Sequence, residues 1–334
     1  MINKNRSVLI FLFFFSFCQG FGNGYTTIKG KALGTSYTIT YKSGESIQLR
    51  RQIDSVLNQV NASLSTYVPS SVISRINNND TTAEIDNHFK TVFERAEIIT
   101  GQTKGAFDMT VAPLVNAWGF GFTGNKRQKA AKSTIDSLME FVGMEKIRIV
   151  ENRVIKTNPG VMLDGSAIAK GYAVDAVSEF LESVGIEHYM VEIGGEVRTR
   201  GVNSKGKSWR IGIDKPVEGG HGLHAIVSLQ DKSLATSGNY RQYFYIDDKK
   251  YAHIINPVTG YPAGNKLLSA SIMAEDCMTA DAFATACIVL GWRKSMRVLK
   301  SIPGVDGYFI IAGRKNTFKI KYTKGFDKLI TQLK

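Results

Sequence analysis

Two oxygen-bearing side chains, Asp281 and Thr285, lie four residues apart in an apolar stretch near the C-terminus. On a helix this spacing places both on one face, about one turn apart. Hard oxygen ligands are what Mg²⁺ requires, with phosphate oxygens and water completing its octahedron. The pair is therefore a candidate for binding a metal. Two structural alternatives stay open, because Asp281 could complement the helix dipole and Thr285 could bond its own backbone.

A second candidate site lies at Lys170 and Gly171, in the first turn of a helix predicted to follow Asp164. Free backbone N–H groups and the dipole at a helix N-terminus favour an anion, and glycine lets a ligand approach closely. A pyrophosphate could therefore bind there. A plain amphipathic helix with an exposed lysine is the alternative.

The hydrophobic periodicity indicates which elements position these residues. Apolar residues at three- and four-residue spacing predict a helix over residues 53–64, a second that stops at Gly101, and a third that begins with Ser133 and Asp136 as a capping box and ends at Gly143. A hairpin is predicted around residues 151–152, a helix from 169 to 185, a strand at 189–193, and helices at 279–290 and around Met296. Strands come in hairpins more than in strand–helix–strand units, so the fold class is α+β with largely antiparallel sheets.

The chain has 334 residues, 43% of them hydrophobic, and no linker or repeat divides it. We therefore predict a single compact unit over residues 25–334. The formal charge of +13 suits a phosphate-bearing ligand or an anionic membrane face. The basic residues are scattered along the sequence, so nucleic acid is not an expected partner. Cys277 and Cys287 are predicted to lie on one helix, too far apart for a disulfide.

The N-terminus has the charge order of a secretory signal. Lys4 and Arg6 precede an apolar run over residues 8–15, which is too short for a membrane span of about 20 residues. Residues 1–20 are therefore predicted to be a signal peptide, and the protein to be exported to the periplasm. Two processing routes stay open. Cys18 could carry a lipid that anchors the protein to the inner membrane, although Phe17 before it is unfavourable, or ordinary cleavage could follow Gly20.

Four further stretches carry a family resemblance. They are GAFD at 105–108 leading to WGFG at 118–121, DGSAIAKGYAVD at 164–175, VEIGGEVRTRG at 191–201, and the segment 253–262 followed by 280–285. In this order they resemble the ApbE family of FAD:protein FMN transferases, from about Gly30 to the C-terminal strands. The fold implied by the resemblance is the ApbE-like α+β fold.

The resemblance also implies roles for particular residues. The magnesium ligands would be the Ala167 carbonyl, Asp281 and Thr285, and His253 would act in acid–base chemistry or phosphate positioning. Two positions depart from the family pattern, because Leu33 stands where methionine is frequent and Asn256 where aspartate is frequent. Segments 194–196 and 236–238 are expected to line the same pocket as close-approach loops or turns. The implied FAD contacts are Leu33, Tyr67, Ala106, Phe107, Asp108, Asp164, Lys170 and Ile255, with Tyr67 and Phe107 as candidates for ring stacking.

The activity implied by the resemblance is magnesium-dependent cleavage of FAD. FMN becomes attached through a phosphoester to a threonine or serine of an exported flavoprotein, and AMP is released. The expected acceptors are subunits of sodium-pumping or electron-transport complexes with a short Asp-Gly-x-Ser/Thr-Gly-Ala-Thr segment. This chain has Asp164-Gly165-Ser166 without that continuation, so it is expected to modify another protein. An FAD pyrophosphatase and a non-catalytic flavin-binding carrier are the alternatives.

Overall fold

The computed structural model describes residues 24–43, 49–217, 222–240, 243–246, 249–314 and 317–332. The predicted signal peptide and Cys18 lie outside the described residues. No helix in the described ranges is long and apolar enough to cross a membrane.

Helices and strands alternate irregularly along the chain. The helices are α1 (Arg50–Leu64), α2 (Val72–Asn77), α3 (Asn87–Thr103), α4 (Ala112–Ala117), α5 (Lys132–Leu138), α6 (Ala169–Ser183), α7 (Cys277–Leu290) and α8 (Trp292–Lys300). The strands are β1 (Tyr25–Ala32), β2 (Thr35–Lys42), β3 (Ile147–Val150), β4 (Arg153–Lys156), β5 (Tyr189–Ile193), β6 (Glu196–Arg200), β7 (Trp209–Asp214), β8 (Leu223–Leu229), β9 (Ser233–Gly238), β10 (Tyr243–Ile246), β11 (Lys249–Ala252), β12 (Leu267–Ala274), β13 (Asp306–Ala312), β14 (Phe318–Tyr322) and β15 (Ile330–Gln332).

An eight-stranded sheet forms the centre of the fold, in the order β1-β2-β5-β6-β9-β12-β13-β14. Every neighbouring pair in it is antiparallel. A three-stranded sheet, β15-β8-β7, and the hairpins β3-β4 and β10-β11 complete the strands described. The predicted α+β class with largely antiparallel sheets is confirmed.

Both faces of the large sheet are covered, because its strands present apolar side chains alternately to each face. One face packs on the helices: Phe309 belongs to the same buried cluster as Phe93 of α3 and Phe283 of α7. The opposite face packs on the small sheet, where Tyr308 joins Trp209 of β7. A third cluster surrounds Trp118, next to α4, α5 and the β10-β11 hairpin.

Helices α6 and α7 pack in antiparallel directions, and each supplies a carboxylate to the N-terminus of the other. Asp281 of α7 accepts a hydrogen bond from the backbone N–H of Gly171, in the first turn of α6 (3.0 Å). Asp175 of α6 accepts from the N–H groups of Cys277 and Met278, at the start of α7 (2.9 and 2.7 Å). Free N–H groups at a helix start are a preferred site for negative charge. Asp281 lines a cavity, and Asp175 also binds Arg198. We therefore call the Asp281 contact of this helix pair the cavity end and the Asp175 contact the arginine end.

The helix boundaries correct three predictions. Helix α3 continues through Gly101 to Thr103, and Lys104 ends it in a left-handed conformation. The capping box at Ser133 is wrong, because α5 begins at Lys132 with no side-chain cap, and Asp136 pairs with Lys132 one turn away. That helix ends at Leu138, well before Gly143.

Other local predictions are confirmed. Residues 147–156 form the expected hairpin. Cys277 and Cys287 are both free and buried on α7.

Candidate active site

A cavity of about 360 Å³ opens where the starts of α6 and α7 meet the large sheet. Of the twelve residues predicted to bind ligand or metal or to take part in catalysis, eleven line it, and only Leu33 does not. The predicted segments 194–196 and 236–238 also contribute, through Gly194, Glu196 and residues 236–238. The eleven are Tyr67, Ala106, Phe107, Asp108, Asp164, Ala167, Lys170, His253, Ile255, Asp281 and Thr285.

Leu33 lies in the tight turn between β1 and β2. Ala32 pairs with Thr35, so Leu33 and Gly34 form a two-residue loop, and both have positive φ (47° and 73°). This conformation is typical of a hairpin turn and is unusual for leucine. The turn approaches the cavity through Thr35, which lies against Gly194. The FAD contact of Leu33 stays a prediction.

Asp281 and Thr285 lie on one face of α7, as their spacing predicted, and both face the cavity. Asp281 is buried, with 2% of its surface exposed, and the two hydrogen bonds recorded for it both reach Oδ2. Thr285 Oγ1 lies 3.1 Å from Ser237 Oγ on β9. Neither structural alternative holds as stated. Asp281 complements the N-terminus of α6, not its own helix, and the recorded partner of Thr285 is a side chain.

Lys170 is not the free lysine that the sequence suggested. Its Nζ lies 3.0 Å from Glu196 Oε1 and 3.4 Å from Asp281 Oδ2. Burial lowers the pKa of Lys170, but the charges of Asp281 and Glu196 outweigh it and raise the pKa above its ordinary value. The lysine is therefore a cation held between two carboxylates at the edge of the cavity.

Gly171 has a different role from the one predicted. A Cβ at this position would collide with the carbonyl of Cys277 and come within 2.8 Å of Asp281 Cβ. Its N–H is also already donated to Asp281. Glycine is needed here so that α7 can approach α6, and the N–H is not free for an anion.

Glu196 is the charged site residue whose role sequence reasoning missed. It is 3% exposed, and its Oε2 is buried without a hydrogen-bond partner among the described residues. Burial raises the pKa of Glu196 to about 7, while the Lys170 charge acts in the opposite direction. A glutamate directly after the Gly194-Gly195 turn, at the buried start of a strand, was the available signal.

The cavity lining also includes aromatic rings and two further aspartates. Phe107 is 3% exposed and Tyr67 is 73% exposed, so one ring belongs to the wall and the other stands at the mouth. Asp108 is buried and accepts hydrogen bonds from the backbone N–H and the hydroxyl of Thr110, at the start of a short 3₁₀ turn. Burial raises the pKa of Asp108. Asp164 accepts from the N–H of Ser166, and burial raises its pKa as well.

His253 follows β11 and faces the cavity, with its ring inclined at 65° to that of Phe120 (centroids 6.4 Å apart). Ile255 pairs with Pro262 in an isolated bridge. Directly after Ile255, the side chain of Asn256 accepts a hydrogen bond from the N–H of Val258 (2.9 Å). Asn256 therefore closes the turn after His253, which an aspartate oxygen would do equally well.

The two glycine-containing segments differ in structure. Gly194 and Gly195 form the turn between β5 and β6, as predicted, with φ of 62° and 99°. Residues 236–238 are not a loop, because they belong to β9 and pair with β12.

The lining of the cavity thus combines aromatic rings with a group of polar side chains, which we call the polar end. At the polar end, Asp281, Thr285 and the segment containing Ala167 offer oxygen atoms beside the cation of Lys170. No group of three or more His, Cys, Asp or Glu residues that could hold a metal occurs in the ranges described. Asp281, Thr285 and the Ala167 carbonyl would offer a metal at this end one carboxylate and two neutral oxygens, a donor set that suits Mg²⁺ when oxygens of a ligand complete it.

Comparisons with known proteins agree with this architecture. The family model that matches is the ApbE family, over residues 33–309. A protein of Vibrio cholerae named FAD:protein FMN transferase is 39% identical over 280 residues, which cover 82% of this chain and 84% of the relative. A protein of the same name from Haemophilus influenzae is 37% identical and covers 91% of both chains.

Solved structures give the same result. The flavin transferase ApbE from Vibrio cholerae superposes with a TM-score of 0.82 at 35% identity, covering 91% of this chain and 99% of that one. The flavinyl transferase ApbE from Pseudomonas stutzeri, in its apo form, gives 0.82 at 30% identity, with 91% and 96% covered. Sequence, fold and cavity therefore agree, and the chain belongs to the ApbE family.

Proposed function

We propose that this chain is an FAD:protein FMN transferase. The observation that carries the proposal is the cavity itself, in which eleven predicted residues from five separate stretches of the chain lie together, some of them polar and some aromatic. A dinucleotide that carries a flavin has the matching chemistry, because it joins aromatic rings to a pyrophosphate. The relatives bearing this activity in their names cover most of this chain at 37–39% identity.

FAD would lie with its pyrophosphate at the polar end. Lys170 supplies a positive charge there, and Asp281 has Oδ1 left for a ligand because its recorded bonds use Oδ2. Asp281, Thr285 and the Ala167 carbonyl would hold Mg²⁺. When bound, this ion would neutralise phosphate charge as a Lewis acid. Phe107 and Tyr67 would contact the rings of the substrate.

The reaction is a phosphoryl transfer. The hydroxyl oxygen of a threonine or serine on the acceptor forms a bond to the flavin-side phosphorus. The bond from that phosphorus to the bridging oxygen breaks, and AMP leaves with the electron pair. The hydroxyl proton has to be removed, and His253 at the cavity wall is the group we assign to that step or to phosphate positioning.

The acceptor and the location are part of the same proposal. We propose that the acceptors are exported flavoprotein subunits of sodium-pumping or electron-transport complexes, and that this chain meets them in the periplasm after removal or lipidation of its N-terminal segment. No nucleic-acid role is proposed.

The direct test incubates the chain with FAD, Mg²⁺ and a peptide carrying the segment Asp-Gly-x-Ser/Thr-Gly-Ala-Thr. We expect the peptide to gain the mass of FMN, by mass spectrometry, with one AMP released per modified peptide. A peptide with alanine at the acceptor hydroxyl is the matched control and should stay unmodified. AMP and FMN without a modified peptide would identify a pyrophosphatase, and intact bound FAD would identify a carrier. Either result contradicts the proposal.

A further inference from the structure

The C-terminal part of the chain carries most of its net positive charge. Residues 291–334 contain eleven Lys and Arg against two Asp, a net charge of +9 out of +13 for the whole chain. In the sequence these cations alternate with apolar residues, so they look dispersed. The fold decides whether they share a surface.

Helix α8 gathers four of them on its solvent side. Arg293, Arg297 and Lys300 follow each other at four- and three-residue spacing, and Lys294 lies beside them. All four are exposed. The opposite side of the helix is fixed in the protein core through Leu299, which is 2% exposed. The helix therefore cannot turn its charges away from solvent.

Strand β14 extends the same surface. Lys319 and Lys321 pair with Ile311 and Phe309 of β13. Residues directly opposite in an antiparallel pair lie on the same face of a sheet. Ile311 and Phe309 face the cluster that contains Leu299 of α8, so both lysines stand on the α8 side of the sheet.

We call the six cations of α8 and β14 the basic face. Within the described residues, none of its six members forms an ion pair. Edge strands often carry lysines that discourage pairing with other chains, which could explain the two on β14. That explanation does not extend to the four on α8, which is not an edge. Unneutralised charge of one sign calls for a partner of the opposite sign.

We propose that the basic face docks the protein on an anionic phospholipid surface. The face is the outer side of a helix and of an edge strand, so it suits a flat layer of phosphate headgroups. Half-buried Trp292, under the guanidinium of Arg293 (4.5 Å), is of the residue type that favours the membrane–water interface. None of the six residues of the basic face lines the cavity, so lipid binding uses a surface separate from it.

Vesicle binding by the full chain tests the proposal. The fourfold variant Arg293→Gln, Lys294→Gln, Arg297→Gln, Lys300→Gln removes charge and keeps good helix formers. The matched control changes two Arg and two Lys that are exposed elsewhere, as Arg51→Gln, Lys205→Gln, Lys207→Gln, Arg210→Gln. Binding is measured by co-sedimentation with phosphatidylcholine vesicles containing about 30% phosphatidylglycerol and with pure phosphatidylcholine vesicles. The ratio of binding to anionic vesicles over binding to neutral vesicles removes any contribution of the apolar N-terminal segment, which all variants share.

We expect the wild type and the control to prefer anionic vesicles, and the α8 variant to lose roughly 10- to 100-fold of that preference. The wild-type preference should also disappear at about 0.5 M salt. Melting temperatures of both variants check that the fold is retained. Equal preference of the α8 variant and the control overturns the proposal. So does a wild type that binds neutral vesicles as well as anionic ones, and the basic face would then serve an acidic protein.

Discussion

The two ends of the α6–α7 helix pair use the same device for different purposes. At each end a buried aspartate on one helix accepts N–H groups at the start of the other. At the arginine end, both oxygens of Asp175 are occupied. The N–H of Met278 donates to Oδ2, and the N–H of Cys277 and Arg198 Nη1 (2.8 Å) both donate to Oδ1. At the cavity end, the two bonds recorded for Asp281 share one oxygen.

The cation beside each aspartate also differs: the one at the arginine end is more fully bonded and less exposed than the one at the cavity end. Arg198 is also fixed by Glu182 and is 19% exposed, whereas Lys170 lies at the rim of the cavity and is 30% exposed. Burial raises the pKa of Asp175 to about 6, against the charge of Arg198. A fully bonded carboxylate can only hold the helices together. The same carboxylate with one oxygen left over can also bind a ligand, so the difference between the two ends separates stability from function.

The largest effect is expected from Asp281→Asn at the cavity end. The amide oxygen can still accept the Gly171 N–H, but the charge next to the predicted metal is lost. We expect the transfer rate to fall by roughly 1000-fold at ordinary Mg²⁺, with partial recovery in excess Mg²⁺. Steady-state rates against Mg²⁺ concentration, Mg²⁺ binding by calorimetry and the melting temperature measure this.

Asp276→Asn is the matched control, because it makes the same change at the N-cap of the same helix, outside the cavity. It should keep near-normal transfer, since asparagine is an equally good cap. Full transfer by Asp281→Asn at ordinary Mg²⁺ would refute the metal role.

Asp175→Asn at the arginine end should lower the stability of the protein and leave its transfer rate nearly unchanged. Removing this charge leaves Arg198 without its closest partner and weakens the start of α7, so we expect a loss of about 3 kcal/mol in the free energy of unfolding. The rate per folded molecule should change by no more than about twofold. Urea unfolding and rates at low temperature give both values. Asp86→Asn, at the N-cap of α3, is the control and should cost little. A large loss of rate in folded Asp175→Asn would contradict the division between the two ends.

Gly171→Ala tests whether the close packing of α6 against α7 keeps the contacts of the helix pair in place. Alanine normally stabilises a helix interior by about 1 kcal/mol relative to glycine, but here its Cβ would meet the Cys277 carbonyl. We expect a net destabilisation of about 2 kcal/mol and lower activity, because α7 has to move away. Gly101→Ala on α3 is the control: nothing lies within 4 Å of its Cβ, so it should stabilise the protein. Equal stabilisation by both variants would show that α6 and α7 are not closely packed at Gly171.

The smallest effect is expected from Glu196→Gln, read as a function of pH. Burial raises the pKa of Glu196 from its ordinary value of 4.5 to about 7 in the folded protein. Its favourable contribution is therefore fully present below about pH 4.5 and is lost as the pH rises through about 7. The variant lacks this loss, so its melting temperature relative to wild type should rise by a few degrees between about pH 5 and pH 8. A constant difference across that range would contradict the raised pKa.

Much of the site followed from short segments of sequence. The placement of Asp281 and Thr285 on one face of a helix needed only helical spacing, and the helix after Asp164 needed only apolar periodicity, because both signals are local. Resemblance to the family supplied the residues that local patterns cannot assign, such as Tyr67 and Ala167. Eleven of the twelve residues then line one cavity.

Other features depended on contacts between distant segments. The partners of Lys170 are 26 and 111 residues away, so no local pattern could show that the lysine is held by two carboxylates. The predicted capping box at Ser133 failed for a local reason instead, since Lys132 pairs with Asp136 four residues away and the helix starts earlier.

The sequence by itself determined the α+β class, the antiparallel hairpins and the residue types of the site, because these depend on periodicity and on chemistry carried by single residues. The tertiary structure alone decided that Gly171 serves helix packing, that Glu196 is a buried partner of Lys170, and that the cations of α8 and β14 form one surface. The physical reason is that burial and charge pairing arise only when α6, α7 and the sheet come together. Residues far apart in the chain then set each other's protonation and accessibility.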